Sequence, residues 1–110
     1  PFLGDFPHYA QIVNWPMGEI LAAAHNQGIA EDDLYRMLSY FDTKNFTDKI
    51  KCPLYMSFGL QDNTCPPHTE FAAYNQVKSA KNYFCVPLCG HAMWLEPSWA
   101  RERAHWFDAK

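Results

Sequence analysis

The sequence has 110 residues, 48% of them hydrophobic and 16% aromatic, which is enough for the core of one globular domain and excludes a disordered chain. Its formal net charge is −3 and no basic cluster is longer than KIK at 49–51, so we expect no nucleic acid and no membrane among its partners. No apolar run approaches the roughly 20 residues of a membrane span. We therefore expect a soluble protein and leave its compartment open between cytoplasmic and secreted or periplasmic.

The first half of the chain is expected to be mostly helical. The segment PFL at 1–3 is the expected end of a strand, and Gly28 separates two helical segments. Asp42 and Asn45 are candidate capping residues for a short turn, because their side chains can accept hydrogen bonds from main-chain amides. The two helical segments and the turn are PMGEILAAAHNQ (16–27), AEDDLYRMLSYF (30–41) and TKNFTDKI (43–50).

The second half predicts a strand, a helix, a strand and a final helix. LYMSFG at 54–59 and NYFCVP at 82–87 are short apolar runs typical of strands buried on both faces. Helical spacing of apolar residues predicts a helix within 68–81, and Pro97 is expected to begin the last helix, within 96–110. This order predicts an α/β fold with a parallel βαβ unit and flanking helices. Because so small a parallel sheet would leave its faces and edges uncovered, we expect the chain to be the C-terminal part of a larger doubly wound α/β protein.

Asp62 and His91 follow the two predicted strands, 29 residues apart. Residues beyond the carboxyl ends of parallel strands meet at one edge of the sheet, where the functional sites of such folds lie. An acid followed by a histidine is also the later part of the Ser, Asp, His order of α/β hydrolases. The carboxylate would fix the imidazole tautomer, and we expect Gly90 to allow the tight turn that aims the ring.

No serine of the chain lies in a G-x-S-x-G context, so the nucleophile of such a triad is expected elsewhere. Two structural interpretations of the pair stay open: Asp62 as a turn former and His91 as an ordinary surface or core histidine. The four cysteines could form two disulfides. Cys85, Cys89 and His91 have a C-x3-C-x-H spacing that could be part of a zinc site, but tight C-x2-C pairs are lacking and we expect no metal.

The segments IKCPLYMSFGLQDNTCPP, FAAYN and CGH, within a similarity that runs from PFLGDF to about GHAMW, resemble acetyl xylan esterases of the cephalosporin C deacetylase type, carbohydrate esterase family seven. The resemblance implies the C-terminal part of an α/β hydrolase domain. Residues 1–50 would be a helical insertion region, and 51–110 a strand-helix-strand-helix unit carrying the catalytic residues Asp62 and His91. Gly4 stands where members of the family commonly have cysteine, which leaves the catalytic assignment intact.

The resemblance further implies a serine esterase that needs no cofactor. It would remove acetyl groups from xylo-oligosaccharides or from related small acetyl esters such as cephalosporin C, and the present chain alone would be inactive. Its expected partners are the substrate, its own N-terminal half and further copies in a homo-oligomer. The alternatives are another α/β hydrolase esterase and a noncatalytic, hydrolase-like interaction domain.

Overall fold

The computed structural model describes residues 4–109. Its regular elements are α1 (Phe6–Ile12), α2 (Met17–Asn26), α3 (Glu31–Leu38), β1 (Leu54–Gly59), α4 (Pro67–Gln76), β2 (Lys81–Val86) and α5 (Pro97–Asp108). Three short 3₁₀ turns cover Thr43–Asn45, Thr47–Lys49 and Met93–Leu95. The strand expected to end at 1–3 lies outside the described residues.

The two strands form the predicted parallel βαβ unit. β1 occupies the residues expected, whereas β2 begins and ends one residue before the predicted segment. They pair in parallel from Leu54 opposite Lys81 to Gly59 opposite Val86, so both carboxyl ends lie at the same edge. Within residues 4–109 the sheet has two strands.

Helices α4 and α5 cover opposite faces of this sheet, because successive side chains of a strand point to opposite sides. Phe58 is fully buried and stacks on Phe71 of α4, with ring centroids 4.1 Å apart. Tyr55, three residues earlier, stacks on Trp99 and Trp106 of α5 at 5.5 and 5.3 Å. Aromatic packing on both faces therefore holds the strand ends in place.

The helix between the strands is shorter than predicted. α4 begins at Pro67 and ends at Gln76, and Val77 has an extended backbone with φ of −66° and ψ of 128°. Val77 is still 3% exposed. The apolar spacing that suggested a longer helix therefore reflects burial of Val77 in the segment that returns the chain to β2.

The first half forms α1, α2 and α3 around a small core. Phe6, Tyr9 and Met17 are its buried members. α1 was not predicted from the sequence, because its seven residues are too few to show helical periodicity. Gly28 ends α2 as expected, with a φ of 70° that glycine adopts without strain.

Asp42 joins the start of α1 to the first 3₁₀ turn. Its Oδ1 accepts hydrogen bonds from the amides of Asp5 at 2.8 Å and Lys44 at 3.0 Å, and its Oδ2 accepts one from the amide of Phe6 at 3.1 Å. The predicted capping role of Asp42 is confirmed. The capping role expected for Asn45 is wrong, because Asn45 lies inside the turn and its Nδ2 donates to the carbonyl of Ser39.

None of the helices described between residues 4 and 109 is both long and apolar enough to cross a membrane.

Candidate active site

Two loops at the carboxyl ends of the strands build the site. The loop after β1 carries Asp62, and the loop after β2 carries His91. The amide of Gln61 donates to the carbonyl of Cys89 at 3.0 Å, which ties the first loop to the second. The predicted meeting of the acid and the histidine at one edge of the sheet is therefore present.

Gly59, the last residue of β1, allows the two loops to approach. A β-carbon at this position would lie 2.3 Å from the carbonyl oxygen of Gly90 and 2.6 Å from that of Cys89. Both oxygens belong to the main chain, so no side-chain rotation could relieve the clash. The sequence predicts Gly59 only as the end of a strand and carries no signal for its role in the site.

The role expected for Gly90 is wrong. Gly90 does not have a positive φ, and a β-carbon on it would make an ordinary contact of 3.6 Å with the carbonyl oxygen of Gln61. Gly90 matters because its main chain passes against Gly59.

The two oxygens of the Asp62 carboxylate have different partners. Oδ1 accepts hydrogen bonds from the amides of Thr64 and Cys65, both at 2.8 Å. Oδ2 lies 3.0 Å from Nδ1 of His91. Asp62 is 7% exposed, and its bonds to the amides fix the carboxylate in one orientation. The turn-forming interpretation is therefore correct for one oxygen, while the other is left for the histidine.

The histidine is held by Nδ1 and is otherwise open. Because the carboxylate oxygen accepts a hydrogen bond, Nδ1 is the protonated ring nitrogen and Nε2 has the free lone pair. The side chain of His91 is 48% exposed. The ring of Trp94 meets it edge to face with centroids 5.4 Å apart, while Met93 is buried. The pair can thus take a proton from a hydroxyl group that approaches Nε2.

Two prolines after Asp62 begin α4 directly. Pro66 is buried and Pro67 is the first residue of the helix, a position where a missing amide hydrogen leaves no hydrogen bond unmade.

The hydroxyl of Tyr9, itself fully buried, donates to the carbonyl of Thr64 at 3.2 Å. No local sequence pattern signals this contact, which joins the helical first half to the loop that carries the acid.

Within residues 4–109 the structure joins no serine hydroxyl to His91 by a hydrogen bond. The hydroxyl of Ser39 donates to the carbonyl of Arg36, and that of Ser79 to the carbonyl of Cys52. Cys65 lies near the pair, but burial raises the pKa of its thiol, which disfavours the reactive thiolate. The described residues thus supply an acid and a base but no activated nucleophile.

All four cysteines are free, so the two disulfides considered from the sequence are not formed. Nor is the C-x3-C-x-H group of Cys85, Cys89 and His91 brought together as a set of ligands. Within the described part of the chain, three potential ligands do meet at His91, namely Asp62, Cys65 and His91 itself.

Comparison with known proteins gives concordant matches. The family model described as acetyl xylan esterase (AXE1) matches residues 1–109. The acetyl esterase Axe7A of Xylanibacter ruminicola is 26% identical over 88 residues. Acetyl xylan esterase 1 from a Thermoanaerobacterium species superposes with a TM-score of 0.76 at 31% identity over 96% of this chain. The acetyl xylan esterase of Paenibacillus sp. R4 gives a TM-score of 0.78 at 34% identity over 97% of this chain.

The chain spans only part of each relative. It corresponds to 17% of the length of Axe7A, and to 33% and 34% of the two solved structures. These structures place the βαβ unit and its helices within the α/β hydrolase fold.

Proposed function

This chain belongs to the acetyl xylan esterase family, and from that premise we propose that it is the C-terminal part of a serine esterase that removes acetyl groups from acetylated xylo-oligosaccharides or related small acetyl esters. The single observation that carries the proposal is the 3.0 Å contact between Asp62 and His91. It has the orientation that a hydrolase base requires, because Nδ1 is the nitrogen held by the acid.

The proposed mechanism is a two-step acyl transfer. Nε2 of His91 takes the proton of a serine hydroxyl as the serine attacks the acetyl carbonyl, and Asp62 stabilises the imidazolium that forms. His91 then gives the proton to the sugar oxygen, which leaves. A water activated by the same nitrogen releases acetate from the acyl-serine.

The serine and the donors to the oxyanion belong, in this proposal, to a part of the protein outside this chain. The elongated shape and the exposed apolar side chains of the described residues support packing against such a further part of the protein. The Cα atoms span 53 × 30 × 13 Å with a radius of gyration of 16.0 Å, whereas a compact chain of this length has a radius of about 13 Å. Leu88, in the loop that carries the histidine, and Leu95, just after it, are 85% and 74% exposed. Such apolar side chains are expected to be covered by other chain segments.

We place residues 1–50, with α1 to α3, as a helical insertion region within one hydrolase domain, and residues 51–110 as the unit that carries the acid and the base. Tyr40 and Phe41, which are 75% and 72% exposed, offer this region an apolar surface for packing in a homo-oligomer or against the remaining chain. The family match favours acetyl esters over the alternatives of a different ester or a noncatalytic domain.

The test uses the full-length protein and nitrophenyl esters of increasing acyl length, together with acetylated xylo-oligosaccharides. We expect acetate to be preferred and His91→Ala to reduce turnover by several orders of magnitude. His105→Ala is the matched control, because His105 lies on the exposed part of α5 and should leave turnover unchanged. The isolated chain 1–110 should be inactive. A fully active His91→Ala enzyme would refute the proposal.

A further inference from the structure

Three side chains of different chemistry converge at the histidine. Asp62, Cys65 and His91 each offer a ligand atom, and these atoms all lie within 4.8 Å of one another. Asp62 and Cys65 belong to one loop and are joined by a main-chain hydrogen bond, whereas His91 comes from the other loop. The cysteine has no part in the acyl transfer proposed above, so its position beside the pair is a separate feature of the site.

We propose that Asp62, Cys65 and His91 form an inhibitory site for a divalent cation of zinc type. A carboxylate oxygen, a thiolate and an imidazole nitrogen are a donor set that zinc binds well, and three protein ligands with one water complete a tetrahedron. The regulatory consequence rests on the proposed esterase function, whereas the binding itself does not.

The three ligand atoms need to move only slightly to surround a zinc ion. With zinc bonds of about 2.0 Å to nitrogen and oxygen and about 2.3 Å to sulfur, the ligand atoms of a tetrahedral site lie about 3.3 to 3.6 Å apart. At present these atoms lie within 4.8 Å of one another, so no pair has to approach by more than about 1.5 Å, while Asp62 Oδ2 and His91 Nδ1, now 3.0 Å apart, open by about 0.3 Å. His91 can adjust to the metal, because its side chain is half exposed and lies in a loop.

The charges of the site also suit a divalent cation. On binding, the Cys65 thiol releases its proton to solvent, so that a thiolate and the Asp62 carboxylate together balance the two positive charges. Both of these residues are buried, at 7% exposed each, so they are shielded from water that would compete for the metal. The exposed side of His91 leaves room for the water ligand.

Metal binding and catalysis require opposite states of the imidazole. Catalysis needs the proton on Nδ1, where Asp62 Oδ2 accepts it at 3.0 Å, and a free lone pair on Nε2. A metal inserted between Asp62 and His91 takes the lone pair of Nδ1 and leaves the proton on Nε2. The ring then cannot accept the proton of serine, so an occupied site is an inactive enzyme.

The test measures zinc inhibition and metal binding on the full-length protein. Each rate is expressed relative to the metal-free rate of the same variant. We expect Zn²⁺ to inhibit hydrolysis, EDTA to restore it, and Cys65→Ser to raise the half-inhibitory zinc concentration at least tenfold. Cys52→Ser is the matched control: the same change at an exposed cysteine before β1 should leave the inhibition as in the wild type.

Binding is followed independently with Co²⁺, whose thiolate charge-transfer band in the near ultraviolet reports a cobalt–sulfur bond. The band should form in the wild type and in Cys52→Ser, and should be lost in Cys65→Ser. Equal zinc inhibition of the wild type and Cys65→Ser, or a cobalt band that survives Cys65→Ser, would overturn the site. Because the band requires no turnover, a protein without esterase activity would refute the proposed function while the band still decided the metal site.

Discussion

Asp62 and Asp42 are two buried aspartates, one in each half of the chain, and both hold main-chain amides in place. Each accepts hydrogen bonds from main-chain amides, and they are 7% and 2% exposed. Asp62 binds the amides of Thr64 and Cys65 through Oδ1 alone. Asp42 uses both oxygens on amides, and two of these amides lie 36 and 37 residues away.

The two aspartates differ in whether one carboxylate oxygen is available to another side chain. The second oxygen of Asp62 faces a half-exposed histidine, whereas the second oxygen of Asp42 is occupied by the amide of Phe6. A buried carboxylate held by amides is therefore not by itself a sign of catalysis. What separates the two sites is an oxygen left over for a side chain that can carry a proton.

The largest effect is expected from the same substitution at both aspartates of the full-length protein. Asp62→Asn presents an amide NH₂ to Nδ1, which favours the wrong imidazole tautomer, and turnover should fall about 10³- to 10⁴-fold. Asp42→Asn places a donor against main-chain donors and should lower the free energy of unfolding by about 1–3 kcal/mol while turnover falls little. Initial rates and thermal unfolding of both variants measure the two effects. Similar losses of turnover in the two variants would contradict the distinction.

An intermediate effect is expected at the contact between the two site loops. Gly59→Ala forces a methyl group against the carbonyl oxygens of Cys89 and Gly90, and should destabilise the protein by about 2–3 kcal/mol and lower turnover as the loops separate. Gly90→Ala is the control, because the added methyl group would make only ordinary contacts and the backbone of Gly90 does not have a positive φ. Thermal unfolding and initial rates decide the matter, and equal behaviour of the two variants would show that the close approach is unimportant.

The sequence predicted those features that depend on local pattern. The strands at 54–59 and near 82–87, the helix start at Pro97 and the cap at Asp42 follow from short apolar runs, a proline and a side-chain acceptor. The meeting of Asp62 and His91 followed from strand order. Features that depend on distant contacts were missed or misassigned: the role of Gly59 depends on a main chain about 30 residues away, and that of Tyr9 on a carbonyl 55 residues away. No local pattern carries that information.

The smallest effect is expected at the ion pair between Asp5 and Lys44, which lies beside Asp42. Burial alone would raise the pKa of Asp5, but bonding to Lys44 and His8 outweighs it and holds the pKa below its usual value. Because the folded pKa is the lower one, the stabilisation is present above the unfolded pKa of about 3.9 and is lost as the pH falls through the folded value. Lys44→Met should therefore lower the free energy of unfolding by about 1 kcal/mol or less at pH 6, and the difference from wild type should shrink below about pH 4.

Lys49→Met, which removes an exposed lysine whose Nζ lies 3.8 Å from Asp48, is the control and should have a smaller effect at pH 6. Denaturant unfolding from pH 3 to pH 6 measures the difference, and a Lys44→Met effect that stays constant down to pH 3 would mean that the Asp5 pair does not stabilise the fold.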